Sequence, residues 1–188
     1  MASTASAEHA TATPALRRLY VIRFAFAAAW AVLLMVVSGS DLTLGAQLLL
    51  VLYPAFDVAA AIVDARSARA GGPVRGLYAN IAVSSLAAVG IAVAGTSGVA
   101  DVLRVWGAWA VLSGLVQLLV GVARRPMGGQ WAMIISGGIS VLAGATFIRS
   151  ASQDDPSLTA LAGYATLGGI FFLVSAFRLS RSTSLLSR

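Results

Sequence analysis

The chain has 188 residues, of which 59% are hydrophobic and 11% charged, with a formal net charge of +6 and a mean hydropathy of +0.87. A soluble domain carries about 25% charged residues and needs them to cover its surface, so this composition excludes an ordinary water-soluble fold and points to a bilayer as the solvent. There is no cysteine, and the one histidine, His9, sits in the polar N-terminal segment, so thiol chemistry, disulfides and histidine-based triads or metal sites are excluded as well.

Residues 1–15 are rich in Ala, Thr and Ser and carry Glu8 and His9. No positively charged n-region opens them, so they read as a disordered cytoplasmic tail rather than a secretory signal peptide. Six apolar runs follow, at about 19–38, 43–63, 77–95, 103–122, 131–148 and 158–177. Each is close to the ~20 residues that a helix needs to cross the hydrocarbon core, where the backbone finds hydrogen-bond partners only within itself. Breaker-rich segments separate them: Ser38-Gly39-Ser40-Asp41, Ala70-Gly71-Gly72-Pro73, Gly95-Thr96-Ser97-Gly98, Pro126-Met127-Gly128-Gly129 and Gln153-Asp154-Asp155-Pro156. These read as tight loops between antiparallel neighbours.

All 13 basic residues are arginine, and all but Arg23, which lies inside the first run, cluster at the ends of the apolar runs, which is a membrane-topology signal and not a nucleic-acid footprint. Arg17, Arg18, Arg66, Arg69, Arg75, Arg124, Arg125, Arg178, Arg181 and Arg188 fall on one side of six alternating spans; only Arg104 and Arg149 fall on the other, with Asp41, Asp101, Asp154 and Asp155. The positive-inside rule then predicts a multi-pass inner-membrane protein with both termini in the cytoplasm. A five-span arrangement would carry the basic C-terminus outside, against this bias. The expected organisation is a tail at 1–15, a transmembrane domain at 16–181 and a cytoplasmic C-terminal tail at 182–188.

The even-numbered runs resemble one another. Tyr53-Pro-Ala-Phe-Asp57, Trp109-Ala-Val-Leu-Ser113 and Tyr164-Ala-Thr-Leu-Gly168 each place an aromatic four residues before a small or acidic residue, and each continues to an arginine, Arg66, Arg124 or Arg178. The predicted fold is therefore an all-α membrane protein of six transmembrane helices, arranged as three parallel two-helix hairpin repeats (about 16–70, 73–126 and 128–181) in a pseudo-threefold bundle.

These segments, with Trp131-Ala-Met-Ile-Ile-Ser-Gly-Gly-Ile-Ser-Val-Leu-Ala-Gly144, resemble the HdeD family of bacterial membrane proteins over about residues 16–181. The first repeat departs most, with Val58 where the others have Gly114 and Gly169. The resemblance implies a non-enzymatic inner-membrane protein contributing to acid or envelope stress resistance. It implies no catalytic residues and no cofactor.

Four polar side chains lie well inside the runs: Arg23, Asp57, Asn80 and Gln117. Such residues are expensive in a bilayer and call for a reason. Counting 1.5 Å per residue, all four fall about 5–10 Å below the arginine-rich boundary, with Ser136 at a similar depth, so they form a candidate polar layer. Two readings stand. Asp57 and Arg23 form a proton, ion or ligand site in a small transporter or channel; or they pair across helices, with Asn80 and Gln117 as hydrogen-bonding glue and Arg23 free to snorkel.

Small residues four apart (Ala110 and Gly114; Ser84 and Ala88; Ala165 and Gly169; Ser136, Ser140 and Gly144) suit close helix packing, inside the bundle or between copies in a homo-oligomer. Trp106 and Trp131 fit an interfacial belt, while Trp30 and Tyr53 lie deeper and pack. No Walker lysine, GxGxxG after a strand or HExxH occurs, and the expected partner is membrane lipid, with no nucleic acid.

Overall fold

A computed structural model describes residues 2–38, 42–68, 75–123, 125 and 130–186, with side chains from residue 17 to residue 178 of these, except 67 and 68. The described residues form six helices and no strand: α1 Ala2–Val37, α2 Leu44–Ala68, α3 Arg75–Ala94, α4 Val99–Ala123, α5 Trp131–Ser150 and α6 Thr159–Leu186. All six contain segments long and apolar enough to cross a membrane, in α1 from Arg17 to Val37 and in α6 from Thr159 to Arg178. The predicted loops at 39–41, 70–73 and 126–129 lie outside the described residues, as do Arg69, Arg124 and Arg188.

Two ends differ from the composition-based expectation. The helix α1 starts at Ala2, through the segment read as a disordered tail, and α6 continues to Leu186, through most of the C-terminal tail. Alanine is the strongest helix former, and the Ala-rich stretch prolongs α1 before its apolar part begins.

Every sequential pair of helices is antiparallel, and the six close into a ring because α1 packs on α6. The closest neighbours are α4 with α5, α1 with α6 and α2 with α3; the pairs joined within each predicted hairpin, α1–α2, α3–α4 and α5–α6, pack more loosely, and α5–α6 loosest of all. Close and loose seams thus alternate around the ring.

The α4–α5 seam shows why one class is close. Gly107, Gly114 and Gly121 recur every seven residues on α4 and face Gly144, Gly137 and Ile134 of the antiparallel α5. A Cβ on Gly114 would lie 2.6 Å from the Gly137 carbonyl oxygen, and one on Gly107 2.6 Å from that of Gly144. Backbone meets backbone here, which is how membrane helices gain dispersion contacts without a hydrophobic driving force. The four-residue spacing picked out from the sequence names some of these positions but not the seam, whose period is seven.

The same period recurs on α6, where Ala162, Gly169 and Ala176 are all buried. A Cβ on Gly169 would lie 3.3 Å from Ala27 of α1.

The ring encloses an aromatic centre. Trp30, Tyr53, Trp106 and Trp109 stack edge and face with ring centroids 4.6–6.1 Å apart. Leu34, Leu50, Ile91, Leu103, Phe147 and Leu161 complete the core around them. Trp106 is fully buried here, not interfacial as its distance from the helix start suggested. It shares the inward face of α4 with Trp109, three residues on. Trp131 is 53% exposed at the start of α5.

The outer surface is the reverse of a soluble protein's. Val36 is 77% exposed and Leu86 74%, and large apolar side chains face outward on all six helices. That distribution is compatible with a multi-pass integral membrane protein.

Candidate functional site

Asp57 lies on α2 one turn after Pro54, a fully buried proline that removes one backbone N–H from the helix ladder. The Trp30 indole N–H of α1 donates to the Leu49 carbonyl one turn before the proline at 2.6 Å. Tyr53 and Phe56, flanking the proline, pack on Phe26 of α1; Phe26 and Phe56 stack with centroids 3.7 Å apart. This packing presents Asp57 to α1 on one side and α3 on the other.

Both carboxylate oxygens of Asp57 are engaged. Arg23 of α1 forms an ion pair with Oδ1 through Nη2. Oδ2 accepts from Asn80 Nδ2 and from Ser84 Oγ, each at 2.8 Å. Ser84 is fully buried, and its oxygen in turn accepts from the Trp109 indole at 3.1 Å. One connected network therefore ties α1, α2, α3 and α4 together. The Arg23 guanidinium also lies over the Phe172 ring of α6, 4.5 Å from its centroid, so a fifth helix touches the same cation.

The network leaves little open. The Arg23 side chain is 10% exposed and that of Asp57 19%. In so apolar a setting an unpaired charge would be costly, and a pair lacking further hydrogen bonds nearly as costly. Asn80 and Ser84, one turn apart on the same face of α3, supply those bonds.

Of the four residues predicted to share a layer, the structure brings together Arg23, Asp57 and Asn80. Gln117 is not with them. It is exposed and lies beside the α4–α5 seam, where its Cβ would be 3.2 Å from a Cβ on Gly137. Its depth along α4 was read from residue counting, but not the neighbour it would meet: it lies on the α5 side of α4, whereas Trp109 of the same helix reaches Ser84 on α3.

Ser136 is also outside the cluster; the α5 serine that acts is Ser140, which accepts from the Tyr164 hydroxyl of α6 at 2.9 Å. Sequence reasoning missed Ser84 and Trp109 as members of the network. The available signal was the i, i+4 pairing of Asn80 with Ser84. It also passed over Asp64, half-buried two turns beyond Asp57 within the same apolar span.

A second correspondence runs through the bundle. Trp109 of α4 donates to Ser84 of α3, 25 residues earlier, and Tyr164 of α6 donates to Ser140 of α5, 24 residues earlier. At the corresponding place in the first hairpin α1 has alanines at 27–29 and no serine, Tyr53 packs on Phe26 and Trp30, and α1 and α2 are joined by Arg23 and Asp57 instead.

No protein-family model matches the chain, and no curated protein or solved structure matches it either.

Proposed function

We propose that this is a non-enzymatic integral protein of a bacterial inner membrane. Its six helices cross the bilayer as three parallel hairpin repeats in a pseudo-threefold bundle, with both termini in the cytoplasm. The Arg23–Asp57–Asn80–Ser84 cluster serves as an interhelical clamp. The observation that carries the clamp is the engagement of both Asp57 oxygens by neighbouring helices: one on a guanidinium of α1, the other on an amide and a hydroxyl of α3. A site built to bind and release a cation keeps ligands in reserve; this one spends them on neighbouring helices.

Three features support the repeat. Close and loose seams alternate around the ring, the seven-residue small positions recur on α4 and α6, and the aromatic-to-serine bonds recur at nearly equal spacing. The arginine-rich ends, Arg17, Arg66, Arg75, Arg125 and Arg178, all fall at one end of the antiparallel bundle and support the cytoplasmic assignment. The physiological part of the reading, tolerance of acid or envelope stress, rests on the resemblance to HdeD-type proteins alone.

The native chain has no cysteine, so single cysteines are clean topology probes. A cysteine at 188 or 125 is expected to resist impermeant maleimide in intact cells and one at 154 to react. The opposite pattern overturns the orientation, and a purified chain that stays soluble without amphiphile overturns the membrane reading altogether. Unchanged survival of a deletion strain at low pH removes the stress assignment.

One observation favours transport as a second reading. Asp64 places another carboxylate two turns from Asp57 on the same face of α2, toward the arginine-rich end. Proton flux in vesicles that survives Asp57→Asn but not Asp64→Asn would support it against the clamp.

A further inference from the structure

We infer that the arginine-rich half of the bundle encloses a water-filled vestibule, open at that end and closed by the aromatic centre, which admits small hydrophilic cations in preference to anions through the carboxylate of Asp64. The inference rests on the membrane reading above.

The two halves of the ring interior are filled differently. Toward the opposite end, Leu34, Leu50, Ile91, Leu103, Trp106 and Leu161 are buried around the aromatic centre. From the level of Ser84 and Ser140 to the arginine-rich end, the buried described residues other than Arg23 are all alanine, glycine or serine. Of these, Gly114, Gly137 and Gly169 are taken up by the close seams. Six helices in a ring leave a central gap that only large inward side chains can close, and this half has none that is buried and apolar.

The inward line of α4 shows the change along one helix. Gln117 stands eleven residues beyond Trp106, about three turns, and so on nearly the same face. Trp106 is fully buried, yet Gln117 is exposed. Lipid does not account for that exposure, because the outer side of α4 is that of Leu112, Leu115 and Leu119, about half a turn round. On α5, Phe147 and Ser140 are buried, whereas Ser136 and Met133, farther along the same face, are only half-buried. The opposite wall carries half-buried Asn80, Asp64 and Phe172. The Arg23–Asp57 cluster on that wall bonds to α3 and rests on α6, and among the described residues no hydrogen bond crosses from it to Gln117 or Ser136.

Charge selects what enters. Asp64 follows Asp57 by seven residues, so it sits on the same inward face, two turns nearer the opening and within electrostatic reach of Arg23 and Tyr20. Arg23 is paired with Asp57, and Asp64 forms no ion pair among the described residues, which leaves one negative charge in excess on the inner wall. The arginines that crowd this end do not offset it. Arg66 lies two residues past Asp64 and Arg75 five before Asn80, which turns both toward the outer surface, and both are exposed. A cleft with low-dielectric walls and an excess of one sign concentrates ions of the other.

The native chain has no cysteine, so the test is thiol modification of single-cysteine variants of the full chain in lipid nanodiscs, which leave both faces open to reagent. Gln117→Cys and Ser136→Cys are expected to react with a trimethylammonium methanethiosulfonate. Leu119→Cys, at the height of Gln117 and 71% exposed on the outer side, is expected to stay unmodified because lipid covers it. A sulfonate reagent of similar size should react about tenfold more slowly at Gln117→Cys. Adding Asp64→Asn should remove most of that difference, and Asp64→Glu should keep it. Silence at 117, 136 and 119 alike overturns the vestibule and leaves the membrane reading standing, whereas rapid modification at 119 removes the membrane reading itself. Equal rates for the two reagents at 117, or a difference that Asp64→Asn does not move, overturns the selection of cations by Asp64.

Discussion

The α4–α5 and α1–α2 seams hold helices together by opposite means. In α4–α5 the side chains have been taken away: Gly107 and Gly114 meet Gly144 and Gly137 through backbone atoms. In α1–α2 they have been added, as a phenylalanine stack and a charged pair with its hydrogen-bonding partners on α3. Where lipid is as apolar as the protein, a helix gains little by hiding leucine, so association comes from closeness or from polarity. The bundle uses closeness between hairpins and polarity within the first of them. The loosest seam, α5–α6, is held by a single side-chain level, Tyr164 on Phe147 and Ser140.

The largest effect is expected at the polar seam. Asp57→Asn leaves Arg23 without its counter-charge, and thermal unfolding in detergent should register a loss of roughly 3 kcal/mol, the low end for breaking a buried pair. Next comes the close seam: Gly114→Ala drives a methyl into the Gly137 carbonyl, where only backbone could give way, and should cost about 2 kcal/mol by the same measurement. If Gly114→Ala costs nothing, the two seams do not differ in kind.

A double variant sharpens the contrast further. Arg23→Gln added to Asp57→Asn should lower stability by less than about 1 kcal/mol more, because the interaction is already lost; fully additive losses would show that the two residues act independently. Tyr164→Phe removes one hydrogen bond to Ser140 and is expected to cost only about 0.6 kcal/mol. The smallest effect belongs to Gly138→Ala, which meets nothing within 4 Å and should be neutral, in direct opposition to Gly114→Ala.

The spans were legible because their signal is cumulative: about twenty consecutive apolar residues leave little room for another reading, and the helices match the runs to within a few residues outside the two termini. The polar cluster was legible in part. Arg23, Asp57 and Asn80 stand out because charge and amide are rare at that depth. Their partners Ser84 and Trp109 do not, since serine and tryptophan are ordinary in membrane helices. Gln117 misled because residue counting gives height along a helix but not direction around it, and α4 is apolar on every side. Trp106 misled for the same reason. The glycine seam was hidden by its period: a spacing of four is the familiar sign of close packing, whereas these antiparallel helices meet every seven residues.

The mutual approach of Gly114 and Gly137 has a consequence for how this protein can change over time. A tight spot between two side chains can be relieved by shrinking one when the other grows. Here each residue abuts the other's main chain, and there is nothing left to shrink. Inheritance at these two positions is therefore locked without any chemistry to protect. Invariance along α4 and α5 in descendants of this chain would record a shortage of space, and should not be mistaken for the mark of an active centre.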